Sequence, residues 1–413
     1  MYNNITSLTK LLSVDSYSPQ VNFDLGLEYE RIGQLASALG FYLRAAEYGY
    51  ETHKDLTYIC LLKIGICLDK QGGRDYTTTN SFLQAISYMP ERPEAYYYLA
   101  KFYEVKNNWQ ESYTFYTLAN KFSDKSIISK QIDYDGKIAI ELGLSTTAYY
   151  IGRAGECVSI LQKLISLNNI PEKYFEDIFS NAINAGIRSN KIAIILPVRN
   201  NNSYRAERLK TCLSSWREQT EGLSSIHIII DDDEVDVFKF LEDYTFVTVH
   251  VRARMKLIPK INSVAVLIAG IYDYLAFVGD DIVFKTKWES TFIEYFKSVP
   301  VGLAYANTMD REDVGNFASH PVITSNMVRE LGFYGCPAVD HTYFDNFWMD
   351  ICRDLGHTKY FEDILWDHSR IGYAPDDMYW QIVEGQKENQ IRYNQYKEYH
   401  YDADLQKIKD KFL

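Results

Sequence analysis

Between Tyr274 and Phe284 the chain reads YLAFVGDDIVF. The apolar run Leu275 to Val278 has the length of a buried strand and stops at Gly279-Asp280-Asp281, after which Ile282, Val283 and Phe284 resume it. Two adjacent carboxylates between apolar segments are costly to desolvate unless a cation or hydrogen bonds hold them. A divalent metal at the carboxyl end of a strand is the chemistry that suits them, and a solvated Gly-Asp-Asp turn is the plainer alternative. Two other strand-like runs end in ligand-type residues. Ile192 to Leu196 runs into Pro197-Val198-Arg199-Asn200, and Ile226 to Ile230 closes on Asp231-Asp232-Asp233.

These ends need elements to position them. Arg205 to Gln219 has helical spacing, with Leu209, Cys212, Leu213 and Trp216 on one inward stripe. A strand is expected over Phe246 to Val251 and a helix over Ile258 to Tyr272. Strands alternating with helices, each strand ending in polar groups, describe a mostly parallel α/β sheet that takes its ligand at the carboxyl edge.

In this order the motifs resemble those of a family 2-type glycosyltransferase with the GT-A fold, over residues 191–380. The matching stretches are Pro197–Asn200, Asp231-Asp232, Arg254 with Lys260-Ile261-Asn262, and Val278–Asp281. Downstream they continue with Ala304–Asn307, His320–Ile323, His341–Gly356, Trp366-Asp367-His368 and Ala374–Tyr379. The resemblance implies transfer of a sugar from a nucleotide-diphosphate donor, most commonly a UDP-sugar, to an acceptor hydroxyl with inversion. It gives the loop Pro197–Asn200, with Asp231 or Asp232, the base and ribose, and it makes Asp280 and Asp281 the metal-binding acidic motif with Gly279 in its first position. His368 resembles the downstream histidine that completes such a metal site, and imidazole suits Mn²⁺ better than Mg²⁺. Arg199, Arg254 and Lys260 are candidate diphosphate partners; a solvated helix face is the alternative, above all for Lys260.

The catalytic base implied is Asp345, on a helix from Tyr343 to Leu355 where it shares a face with Trp348. Phe344 stands where many members of the family have Glu, so His341 is a rival base, and Asp345 is alternatively a helix N-terminal charge. Trp348, Tyr373, Tyr379 and Trp380 have rings that could stack on sugar, with core the favoured place for Trp348.

Ahead of this region the sequence repeats. Leu25, Gly26, Tyr29, Gly33, Ala38, Tyr42 and Ala45 fall where a tetratricopeptide repeat (TPR), a helical hairpin of about 34 residues, puts its packing residues. A second copy follows from Tyr58 with Gly65, Gly72, Phe82 and Ala85, and a third from Pro93 with Tyr96, Leu99, Ala100, Tyr103, Ser112, Tyr116 and Ala119. Asp133 to Leu167 keeps helical spacing with fewer markers, as a capping pair would.

The expected organisation is all-α repeats over 1–188, a GT-A domain over 189–390 and a helical tail over 391–413. A net charge of −12 without a basic stripe argues against nucleic acid. Scattered cysteines, no secretory pattern and no uninterrupted apolar span point to a cytoplasmic protein with reduced thiols. Expected partners are the nucleotide sugar, a glycan or protein acceptor, and a protein partner or second copy at the repeats. The competing reading is a repeat scaffold with a degenerate sugar-nucleotide module. A nucleotidyltransferase of related fold is a third, against which the pattern after His341 argues.

Overall fold

Glycines set under aromatic rings hold the N-terminal helices together. A Cβ on Gly26 would come within 2.5 Å of the Tyr42 ring, and one on Gly65 within 2.5 Å of the Phe82 ring. Only hydrogen fits at either place, so the paired helices approach closely. In the computed structural model these helices are α1 (Asn3–Val14), α2 (Pro19–Arg31), α3 (Leu35–Gly49), α4 (Lys54–Gln71) and α5 (Asp75–Tyr88). They continue as α6 (Pro93–Val105), α7 (Trp109–Asn120), α8 (Lys137–Tyr150) and α9 (Ala154–Ile165). Residues 3–167, 170–199, 203–309, 314–368 and 377–413 are described, with backbone alone at 3, 203–204, 314 and 377–384. Asn200, Tyr373 and the Ala374–Asp376 motif, with the side chains of Tyr379 and Trp380, lie outside them.

The hairpins α2/α3, α4/α5, α6/α7 and α8/α9 coincide with the sequence repeats. Each turn between partners contains a residue in the left-handed region: Gly33 (φ 77°), Gly72 (φ 71°), Asn107 (φ 59°) and Gly152 (φ 81°). Glycine enters that region without steric cost, and asparagine tolerates it. Pro19 and Pro93 open α2 and α6 at positions where a missing N–H costs nothing, and Ser18 caps α2 through Val21 N. The N-terminal unit is therefore a TPR-like helical repeat array.

Two compact units divide at Leu164 and Ile165, ahead of the expected boundary at 188. The difference lies in α10 (Glu172–Asn184), which belongs with the sheet. Its Phe175 ring lies 4.3 Å from His250, and its Ile183 fills the space over Gly270.

The second unit carries an eight-stranded sheet in the order β3-β2-β1-β4-β7-β6-β8-β5. Its strands are β1 (Ser189–Pro197), β2 (Ser224–Asp231), β3 (Val247–Arg252), β4 (Tyr272–Phe277), β5 (Val283–Phe284), β6 (Leu303–Asn307), β7 (Val322–Thr324) and β8 (Thr358–Asp367). The helices are α11 (Ser203–Gln219), α12 (Leu257–Ala269), α13 (Glu289–Lys297), α14 (Ser325–Leu331), α15 (Phe344–Asp354), α16 (Asp377–Tyr399) and α17 (Tyr401–Phe412). β3, β2, β1, β4, β6 and β8 run one way, while β7 and β5 run against them. One core packs Ile192, Ile194 and Leu196 with Ile226, Ile228 and Ile230 under Leu209, Cys212, Leu213 and Trp216 of α11. The expected strands and the inward stripe of α11 are thus present. Helix α12 ends sooner than its apolar pattern, because Tyr272 is taken into β4 beside Ser189.

Candidate active site

Strand ends from across the sheet meet at one edge. β4 runs into Gly279-Asp280-Asp281, and β7, being antiparallel, begins at the same edge. Phe277 N donates to Pro321 O at 3.1 Å, so His320 comes level with the end of β4. β5 pairs Val283 with Asp367 of β8, which brings His368 opposite the residues that precede β5. Asp281, His320 and His368 consequently each offer a ligand atom, all within 4.8 Å of one another. His368 Nε2 lies 3.3 Å from Asp281 Oδ2, and the rings of His320 and His368 are 4.8 Å apart.

The donor set of one carboxylate and two imidazoles suits a divalent cation of the Mn²⁺ or Zn²⁺ kind. Gly279 supports that fit. A Cβ on it would run into Asp281 Oδ1 and lie 3.4 Å from His320 Nε2, so the pocket wall is a glycine for lack of room. Burial opposes ionisation of Asp281, but the hydrogen bond and charge of His368, then His320 and Arg208, outweigh it and hold the carboxyl well below its usual range.

Asp280 is not part of this ligand group. It is nearly fully buried and faces Arg205, whose Nη1 lies 3.3 Å from Oδ1. Burial pushes its carboxyl up to about 6, with Arg205 and Arg208 pulling the other way and Asp281 adding to the rise. Arg208 Nη2 donates to Asp281 Oδ2 at 3.0 Å. Both arginines stand on α11 three residues apart and extend the stripe of Leu209, Cys212 and Trp216, which is the signal that reveals them in the sequence.

A second cluster surrounds Asp231, which is 0 % exposed at the end of β2. Arg199 Nε donates to its Oδ2 at 2.9 Å, and Lys260 of α12 pairs with Oδ1. Lys260 is buried, contrary to the solvated helix face expected for it, because Asp231 needs a cation where water does not reach. Burial lowers the Lys260 ammonium, while Asp231 pulls it back up. Arg254 joins Asp233 at 3.0 Å and Glu234 at 2.9 Å, while Asp232 is exposed at the tip of this turn. Asp231 thus orients basic side chains, and Asp232 makes no ion pair with another described residue. Pro197, half-buried, ends β1 beside them.

His341 and Asp345 stand on a loop and helix fixed from two sides. Asn262 Oδ1 accepts from Tyr334 N at 2.8 Å and Gly335 N at 2.7 Å, and Ile258 N donates to Asp340 O at 3.0 Å. Burial, then the charges of Arg199, Lys256 and Arg205, push His341 down to about 4, so it is a neutral imidazole on the basic side of the site. Asp345 sits in the first turn of α15, next to Phe344, whose ring lies 4.6 Å from Phe277. Trp348 is core, its Nε1 donating to Tyr334 O at 2.7 Å.

No protein-family model matches the chain, and neither does any curated protein. Some solved structures show a partial similarity. MamA is 15 % identical with a TM-score of 0.31, covering 44 % of this chain and 88 % of its own. PilW, a type IV pilus biogenesis factor, is 19 % identical with a TM-score of 0.34, covering 42 % and 72 %. A tetratricopeptide repeat protein from Parabacteroides merdae is 17 % identical with a TM-score of 0.34, covering 44 % and 64 %. No described helix is long and apolar enough to cross a membrane.

Proposed function

We propose that the sheet unit is a metal-dependent glycosyltransferase, moving a sugar from a nucleotide-diphosphate donor to an acceptor hydroxyl with inversion. The observation that carries this reading is the meeting of Asp281, His320 and His368 at the carboxyl edge of the sheet, with Arg205 and Arg208 against the same acidic pair. Asp281, His320 and His368 would hold Mn²⁺, which when bound offsets the negative charge on a departing diphosphate. Asp232 offers a carboxylate to ribose hydroxyls, and Arg199 is held ready for phosphate or base by Asp231. His341, kept neutral, hydrogen-bonds the donor from the basic side. Asp345 Oδ takes the proton of the acceptor hydroxyl. A UDP-sugar is the donor we favour, and the repeats present a glycan or protein acceptor, or join a second copy.

A second reading is a repeat scaffold whose sheet unit binds without turnover. Its support is the TPR-like array itself and the arginines already neutralising Asp280 and Asp281. Thermal shift with UDP, GDP and CDP, each with Mn²⁺ or chelator, separates the two when followed by donor turnover. Binding at one hundred times Kd stabilises the native state by about 2.7 kcal/mol. The transferase requires a shift with one nucleotide that chelator removes, and nucleotide release from its sugar that Asp281→Asn abolishes. A shift without turnover supports the scaffold, and no shift at all removes the nucleotide site.

A further inference from the structure

Arg205 and Arg208 occupy carboxylates that sit beside, or belong to, the ligand group of Asp281, His320 and His368. Arg208 Nη2 lies 3.0 Å from Asp281 Oδ2, the same oxygen that His368 Nε2 approaches at 3.3 Å. Arg205 Nη1 lies 3.3 and 3.4 Å from the two oxygens of Asp280. Arg205, Arg208, Asp280 and Asp281 have side chains at most 19 % exposed, so their charges are poorly screened by water.

The charges decide what such an arrangement accepts. Among the described residues, two guanidiniums face two carboxylates across these pairs. A dication entering at Asp281 shares an oxygen already held by Arg208 and leaves about two uncompensated positive charges in a water-poor site. A diphosphate carries about the missing negative charge, and guanidinium binds phosphate oxygens in the same forked geometry as carboxylate.

Resting on the proposed metal-dependent reading, we infer that Arg205 and Arg208 are the diphosphate-binding pair and that Arg208 exchanges partners on loading. Arg208 leaves Asp281 for the diphosphate, while Arg205 keeps Asp280 and turns its remaining N–H groups to the diphosphate, so that Arg208 opposes metal binding until a nucleotide diphosphate is present. Metal and diphosphate then bind cooperatively, each tightening the other by the same factor. Removing Arg208 frees Asp281 for the cation and removes one anchor of the diphosphate.

Mn²⁺ binding to the full chain, read by electron paramagnetic resonance of free Mn²⁺, tests this with UDP present and absent. For the wild type, UDP is expected to tighten Mn²⁺ by about tenfold or more. For Arg208→Ala, nucleotide-free Mn²⁺ is expected to bind about tenfold tighter than in the wild type, with the gain from UDP largely lost. Arg208→Lys, which keeps the charge, should stay near the wild type in nucleotide-free Mn²⁺ affinity. Equal Mn²⁺ affinity in wild type and Arg208→Ala without UDP overturns the exchange while leaving the metal site standing. Absence of Mn²⁺ binding in both, with and without UDP, overturns the metal reading as well.

Discussion

Gly279 offers the sharpest test of the ligand geometry, because adding one methyl perturbs the site without challenging the fold. Gly279 is not among the residues with positive φ, so alanine meets no backbone strain there. Its Cβ would fall well under 3.0 Å from Asp281 Oδ1 and at 3.4 Å from His320 Nε2. The carboxylate is the mobile partner and must retreat by roughly half an ångström or more, a scale at which about 1 Å of misplacement costs on the order of a hundredfold in function. Stability moves little: reduced freedom of the unfolded chain contributes about 0.4–1 kcal/mol, set against the cost of the shifted side chain. We therefore expect Gly279→Ala to lose about tenfold or more in Mn²⁺ affinity, measured by calorimetry with UDP present, with an unfolding free energy within about 1 kcal/mol of the wild type. Unchanged Mn²⁺ affinity in a folded Gly279→Ala protein would refute the placement of Asp281 as a ligand. A collapse in stability would show instead that Gly279 serves packing.

In the repeat array, Gly143 lies directly under the buried Tyr116 ring, and a Cβ there would overlap it. Gly143→Ala is expected to cost about 1–3 kcal/mol by overpacking, read from thermal or urea unfolding of the array by circular dichroism; a neutral result would contradict the close helix approach. The stacked pair His227 and His250, joined by a 3.1 Å hydrogen bond, carries a pH dependence. Burial pushes His227 down to about 3, and burial together with His227 pushes His250 well below its usual value. Both stay neutral when folded and take up protons when unfolded, so their contribution is complete above about pH 6.5 and is lost as pH falls toward about 3. His227→Gln should lower the slope of unfolding free energy against pH by up to about 1.4 kcal/mol per unit between about pH 6 and pH 4, followed by tryptophan fluorescence; an unaltered slope would exclude the pair.

Several elements are legible in the order of residues alone. Period-3.6 spacing and small residues opposite rings mark the hairpins, since a helix that must approach a ring closely has to carry Gly or Ala there. Apolar runs ending in Arg199, Asp231 and Asp280-Asp281 mark β1, β2 and β4, because a buried strand tolerates charge only where it leaves the core. Lys260 is not legible in this way: its spacing on α12 is equally that of a solvated residue, and only the position of Asp231 draws it inside. The boundary expected near 188 falls earlier because α10 has the same helical pattern as a repeat helix. Its partners, His227, His250 and Gly270, are remote in sequence.

Local sequence, then, settles which segments are helices and strands, that the first unit repeats, and that acidic and basic groups crowd the strand ends. These properties follow from spacing, residue size and the cost of burying charge, and each is set within a few residues of chain. Only the packed fold brings His320 to Asp281 and His368, through an antiparallel β7 that starts where β4 ends. Packing also turns Asp280 toward Arg205 and Asp281 toward the imidazoles. Adjacent residues on an irregular strand end point different ways, and their partners come from α11, β7 and β8, whose meeting depends on strand order rather than on sequence distance.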